Sequence, residues 1–161
     1  MIRKADLSGL DAELQIELDM TASFITLLQK EQEALIGANL EILETLPREK
    51  SVLVMQLTRL SNQRDQHLSS HGLNSDRKGM EALISRSPNA ASITVKWNEL
   101  LRMAESAQQL NRTNGDLINT RLRYNQQALT VLQNATGGSA PLYGPTGRTF
   151  TVKGGRQFGQ V

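Results

Sequence analysis

From Ser92 to Asn134 apolar or small residues recur at steps of three and four with no proline to interrupt them. Ile93, Trp97, Leu100, Ala104 and Ala107 open the series, and Ile118, Leu122, Leu129 and Leu132 resume it after a polar gap. Such spacing stacks side chains on one face of an α-helix, so the stretch predicts a single long helix. At about 1.5 Å per residue the rod would be roughly 60 Å long, more than a small domain needs. Its stripe must therefore be covered by other helices or by a partner. The gap holds Asn111, Thr113, Asn114 and Gly115. Asn114-Gly115 would mark a hairpin turn between strands, but neither flank alternates with period two, so a helix carrying one glycine fits better. Two readings of the gap stand side by side. It is a polar layer that sets register inside a bundle, or a seam between a self-packed half and a half left open for a partner.

Upstream, Leu7, Leu10, Leu14, Leu18, Phe24, Leu28 and Leu35 carry the same rhythm and predict a first helix over 6–36. Asp6, Asp11 and Glu13 lie in its early turns, where negative charge suits the positive end of the helix dipole. Gly37 is expected to end it and Asn39 to cap the next. A second helix follows over 39–71, with Leu43, Leu46, Leu53, Leu57, Leu60 and Leu68 inward and Gly72 as its stop. Pro47 falls inside that pattern and either kinks the helix or restarts it. The short connection between these helices predicts an antiparallel hairpin. Residues 76–85 predict a short amphipathic helix with Met80, Leu83 and Ile84 apolar, capped by Ser75 or Asp76 and ended by Ser87-Pro88-Asn89.

From Thr136 the chain changes character, holding seven of the twelve glycines and two of the four prolines. Such composition cannot repay the entropy of ordering, so the tail is expected to be flexible when the protein is alone. Leu142, Tyr143, Phe150, Val152 and Phe158 are nevertheless spaced along it, and residues 148–152 alternate as a short strand would. The tail thus either docks on its own bundle or orders on a partner. The fold expected is all-α: an elongated antiparallel bundle or coiled coil of three long helices and one short one. The bundle is expected over 1–135 and the flexible tail over 136–161.

Composition narrows the function classes. Aromatic content of 4% with a single Trp argues against a thick globular core and suits leucine seams. No cysteine is present, which removes disulfides and thiolate metal sites and agrees with a reducing compartment. Met1–Leu14 shows no apolar run after its basic residues, and no stretch reaches the roughly 18 apolar residues of a membrane span, so a cytoplasmic protein is expected, with no secretory signal and no membrane insertion. Net charge is only +2 but uneven: −5 over residues 1–50, +2 over 51–116 and +5 over 117–161. A basic end can serve nucleic acid or a membrane surface, yet no aromatic platform or recognition motif accompanies these residues, and a solvated face with a basic tail explains them.

Catalytic chemistry is not signalled. No phosphate-binding loop, nucleophile elbow or histidine-centred constellation appears. His67 and His71 are spaced to share a metal, but no third ligand stands at a suitable distance along the chain, and histidines in a helix's last turn are favourable there anyway. Glu31/Glu33 and Glu41/Glu44 pair only in sequence and are expected on wet faces. Neither an enzyme nor a cofactor or metal site is expected.

Taken together, four features resemble the FlgN family of flagellar export chaperones. They are the acidic, leucine-rich first helix, the run from Leu43 to Leu53, the segments Asn114–Ile118 and Arg121–Leu129 of the long helix, and the tail motif Leu142–Gly147. The resemblance implies a non-catalytic carrier. It would hold hook-associated (hook–filament junction) subunits in the cytoplasm, prevent their premature assembly and deliver them to the flagellar type III export gate. The family binds through its C-terminal helical region, which maps here to Leu117, Ile118, Leu122, Tyr124, Leu129 and Leu132. The same incomplete stripe could instead be closed by a second copy, making a self-associating homodimeric coiled coil without a client. A nucleic-acid binder using the basic end is a third reading.

Overall fold

The computed structural model describes residues 7–88 and 90–136, together with the backbone of 142–143 and 149–150. Its elements are α1 (Ser8–Gly37), α2 (Leu40–Ser70), α3 (Arg77–Ser85), α4 (Ala91–Ala135), β1 (Leu142–Tyr143) and β2 (Thr149–Phe150). The chain divides into two units, residues 1–118 and 119–161. Three long helices and one short one therefore stand where the three- and four-residue rhythm places them. Asp6, expected in the first turn of α1, lies outside the described residues.

In the first unit α1 and α2 form the antiparallel hairpin. Its turn is two residues long: Ala38 takes the left-handed conformation at φ 55°, and Asn39 Oδ1 accepts from the Ile42 N–H at 3.3 Å. The reversal thus falls on Ala38 rather than on the expected Gly37, which is still helical. The Asn39 cap satisfies one of the free N–H groups that every helix start leaves. α2 runs unbroken through Pro47, so the proline does not restart the helix. Gly72 carries the left-handed turn after α2 at φ 69°.

A tight corner then leads into α3. Asp76 Oδ1 accepts from the Gly79 N–H at 2.7 Å, so Asp76, not Ser75, is the cap. Gly79 is dictated by contact: a Cβ there would lie 1.9 Å from the Asn74 carbonyl oxygen. This close approach lets α3 fold Met80 and Leu83 onto the hairpin.

The apolar core gathers at this end. Leu10 and Leu14 of α1, Leu68 of α2, Met80 and Leu83 of α3, and Ile93, Trp97 and Leu100 of α4 form one buried cluster. At about 25 cal/mol per Å² of apolar area removed from water, each buried leucine contributes on the order of 2 kcal/mol before chain entropy is counted. Further along α4, Ala107 is buried but Ala104, expected on the same stripe, is exposed. In the second unit Leu142 pairs with Phe150 and Tyr143 with Thr149 as antiparallel strands. The rest of the expected flexible tail lies outside the described residues. Among the described residues no helix is long and apolar enough to cross a membrane.

Candidate functional site

Beyond the apolar cluster the seam of the first unit mixes buried leucines, Leu27, Leu28, Leu35 and Leu46, with buried polar side chains, Glu17, Glu31 and Asn114. Buried Asn114 donates through Nδ2 to the Leu28 carbonyl at 2.8 Å and to Glu31 Oε2 at 2.8 Å. Lys50 Nζ reaches the same carboxylate at 3.1 Å. One turn set from α1, one from α2 and one from α4 therefore converge on Glu31. The polar gap of the sequence is in this sense a register-setting layer. Two heptads away, Arg64 pairs with Glu17 and its guanidinium lies 5.3 Å from the centre of the Trp97 ring. Glu17 and Glu31 occupy core positions of α1, and Arg64 and Lys50 the facing positions of α2, so both pairs demand one antiparallel alignment.

These pairs correct the expectation that the acids are all solvated. Glu31 and Glu17 are buried, whereas Glu33, Glu41 and Glu44 are exposed as expected. The signal was present in the spacing: positions 10, 14, 17, 21, 24, 28, 31 and 35 alternate steps of four and three, with glutamates at two of them. Nearer the apolar end, Asp11 accepts from Lys96 at 2.7 Å and from Ser92 at 2.7 Å. The hydrogen bond from Lys96, then that from Ser92, holds its carboxyl below the usual carboxylate range. Arg102 does the same to Glu99 on the surface of α4.

His67 and His71 do not converge on a common point. His67 Nε2 lies 3.0 Å from Glu13 Oε2, while His71 Nδ1 faces the His67 carbonyl at 2.8 Å. Among the described residues no group of three or more metal-ligating side chains assembles.

The residues assigned to partner binding lie on α4. Leu117 is half-buried and Ile118 is 45% exposed at the end of the first unit. In the second unit Leu122, Tyr124, Leu129 and Leu132 are 54–64% exposed, and Val131, which the pattern reading passed over, is 66% exposed. With each residue turning about 100°, Leu122, Leu129 and Leu132 share one face of the helix, whereas Tyr124 and Val131 share the opposite one. The assigned residues thus form two apolar ridges rather than one stripe. These side chains leave an apolar surface exposed along the described part of α4.

Comparison with known proteins identifies the family. The family model for FlgN protein matches residues 1–151. The chain belongs to the FlgN family. Among FlgN relatives, the flagella synthesis protein FlgN of Yersinia enterocolitica serotype O:8 is 28% identical over 141 residues, covering 86% of this chain and 87% of its own. That of Escherichia coli K12 is 29% identical over 127 residues, covering 67% and 91%. A crystal structure described as a flagella synthesis protein FlgN from Pseudomonas aeruginosa superposes with a TM-score of 0.64 at 26% identity, over 69% of this chain and 87% of that one. The FlgN resemblance read from the helix layout is thereby established, and with it the all-α fold.

Proposed function

We propose that this FlgN-family chain is a cytoplasmic, non-catalytic export chaperone of the flagellar type III pathway. It would bind hook–filament junction subunits, prevent their premature assembly and hand them to the export gate. The observation that carries the reading is the run of exposed apolar side chains along α4 from Leu122 to Leu132, in a family whose members are named for flagella synthesis. Subunits that assemble by helical packing present amphipathic segments that would associate too early, and an exposed apolar helix face can take such a segment. Ordering the bound segment consumes several kcal/mol, which keeps the complex reversible, as a carrier requires. Leu122, Leu129 and Leu132 form the principal contact ridge, with Tyr124 on the second. Leu117 and Ile118 are proposed on the sequence pattern.

The test replaces Leu122 and Leu129 with glutamate and measures binding of purified junction subunits by calorimetry. Affinity should fall at least about tenfold, since two buried leucines contribute more than the 1.4 kcal/mol that factor represents. Unchanged affinity in a variant that is still helical by circular dichroism rules the site out. The rival occupant is a second copy of the chain. A tight dimer in sedimentation that ignores junction subunits favours that reading, while retardation of nucleic acid that weakens steeply with salt would favour a binder of the third kind.

A further inference from the structure

We infer that Asn114-Gly115 is a self-modification site, at which the chain records in covalent form the separation of α4 from the α1–α2 hairpin. Asn114 is the one asparagine of the chain that is followed by glycine. In that pair the side-chain amide meets the least steric resistance to attack by the backbone nitrogen of the next residue, because glycine has no Cβ. Nothing in the fold requires the glycine. Gly115 lies inside unbroken α4, its φ is not left-handed, and a Cβ there would meet no neighbouring atom within 4 Å. Glycine is the poorest interior helix former after proline, so this residue weakens α4 beside the layer that fixes its register.

The reaction is an intramolecular acyl transfer. Hydroxide removes the Gly115 N–H proton and the nitrogen attacks Asn114 Cγ, forming the N–Cγ bond of a succinimide ring. The Cγ–Nδ2 bond breaks, and ammonia leaves with a proton from water, which returns the hydroxide. Water then opens either ring carbonyl, leaving aspartate or isoaspartate at position 114 with its proton released. In the folded seam both reactants are restrained. The Gly115 N–H is held in the ladder of α4. Asn114 is fully buried, and its Nδ2 donates to the Leu28 carbonyl and to Glu31 Oε2, each at 2.8 Å. Nitrogen and Cγ meet only when α4 opens at Gly115 and draws the amide out of the hairpin, so the rate follows the fraction of chains open there. The product does not fit back. A carboxylate has no N–H for Leu28 or Glu31, and it would set two carboxylates against Lys50, which lies 3.1 Å from Glu31. Isoaspartate also adds a carbon to the main chain, which breaks the helix ladder. A chain whose α4 has opened is thereby marked and kept from recovering its register. The site is separate from the ridge on Leu122 and Leu129 and does not depend on the client reading.

The full-length protein is incubated at neutral pH, and its tryptic peptide 113–121 is followed by mass spectrometry that resolves aspartate from isoaspartate. A synthetic peptide of residues 109–119 gives the unrestrained rate. Conversion at position 114 should be measurable in the folded chain but at least about tenfold slower than in the peptide, and should accelerate in urea below the unfolding midpoint. Gly115→Ala should slow the folded chain by a larger factor than it slows the peptide, because alanine both crowds the attack and strengthens the helix. Asn114→Asp supplies one product directly. Its urea midpoint should lie below that of Asn114→Ala, with amide exchange along α4 near position 114 at least about tenfold faster than in wild type. Conversion as fast in the folded chain as in the peptide overturns the proposal, as does none under conditions that convert the peptide fully. A rate indifferent to urea, equal slowing of chain and peptide by Gly115→Ala, or wild-type stability and exchange in Asn114→Asp likewise overturns it.

Discussion

Asn114 allows the polar seam to be tested quantitatively. Its Nδ2 donates to one neutral and one ionised acceptor, Leu28 O and Glu31 Oε2, while its Oδ1 is buried with no partner. Truncation to alanine removes a hydrogen bond of about 1 kcal/mol and a charge-assisted one of about 2 kcal/mol, and adds a small cavity. Relief of the unpartnered oxygen returns about 1 kcal/mol, leaving a net loss of about 2–3 kcal/mol. Asn114→Leu loses the same bonds but buries an apolar side chain worth about 2 kcal/mol, and Lys50 still neutralises Glu31, so its net change is near zero. The assay is equilibrium urea unfolding read by Trp97, which sits in the core of the same unit. With a slope of about 2 kcal/mol/M the alanine midpoint should drop by about 1–1.5 M, and the leucine midpoint should stay within about 0.5 M of wild type. Equal destabilisation by the two substitutions, or none by alanine, would refute the assignment of Asn114 as a specificity device whose cost is met by its own bonds. A leucine variant of unchanged midpoint should also show faster amide exchange along α4 near position 114, because nothing polar then fixes the register.

Other substitutions test local features. Gly79→Ala must push a Cβ against the Asn74 carbonyl, and should cost at least about 2 kcal/mol in thermal unfolding, comparable to overpacking a core. Ala38→Gly relieves a left-handed alanine in the hairpin turn and should stabilise by about 0.5–1 kcal/mol in the same measurement. Asp11→Asn tests the Lys96 contact through pH. The folded-state pKa of Asp11 is lowered, so the folded protein holds fewer protons there than the unfolded chain, and the contribution is full above the ordinary carboxylate value near 4 and lost as pH falls through the folded value. The variant should be less stable than wild type at pH 7, with the difference shrinking below about pH 4. A difference independent of pH would show that the contact contributes nothing through charge.

The helices were legible because leucines declare their faces. Leu10, Leu14, Leu46, Leu68 and Leu100 are all buried where the three-four rhythm requires, and the caps at Asn39 and Asp76 follow from side chains that accept from a helix's first N–H groups. The charged members of the same rhythm were not legible to a reading that counts apolar residues. Glu17 and Glu31 look like surface acids until the heptad is followed through them, and Arg64 and Lys50 gain meaning only when α2 is folded back. Leucine seams are also degenerate: sliding α2 by one heptad against α1 would still match leucine to leucine. It would not match Glu17 to Arg64 and Glu31 to Lys50, and it would leave buried charges unpaired at a cost of several kcal/mol. The alignment that these pairs select is the one in which Asn114 of α4 meets Glu31, so the third helix reads the register that the first two have set. The exposed leucines beyond it have no such constraint. Among the described residues Leu122, Leu129 and Leu132 stay exposed, and in the proposed function their alignment is supplied by the helix laid against them.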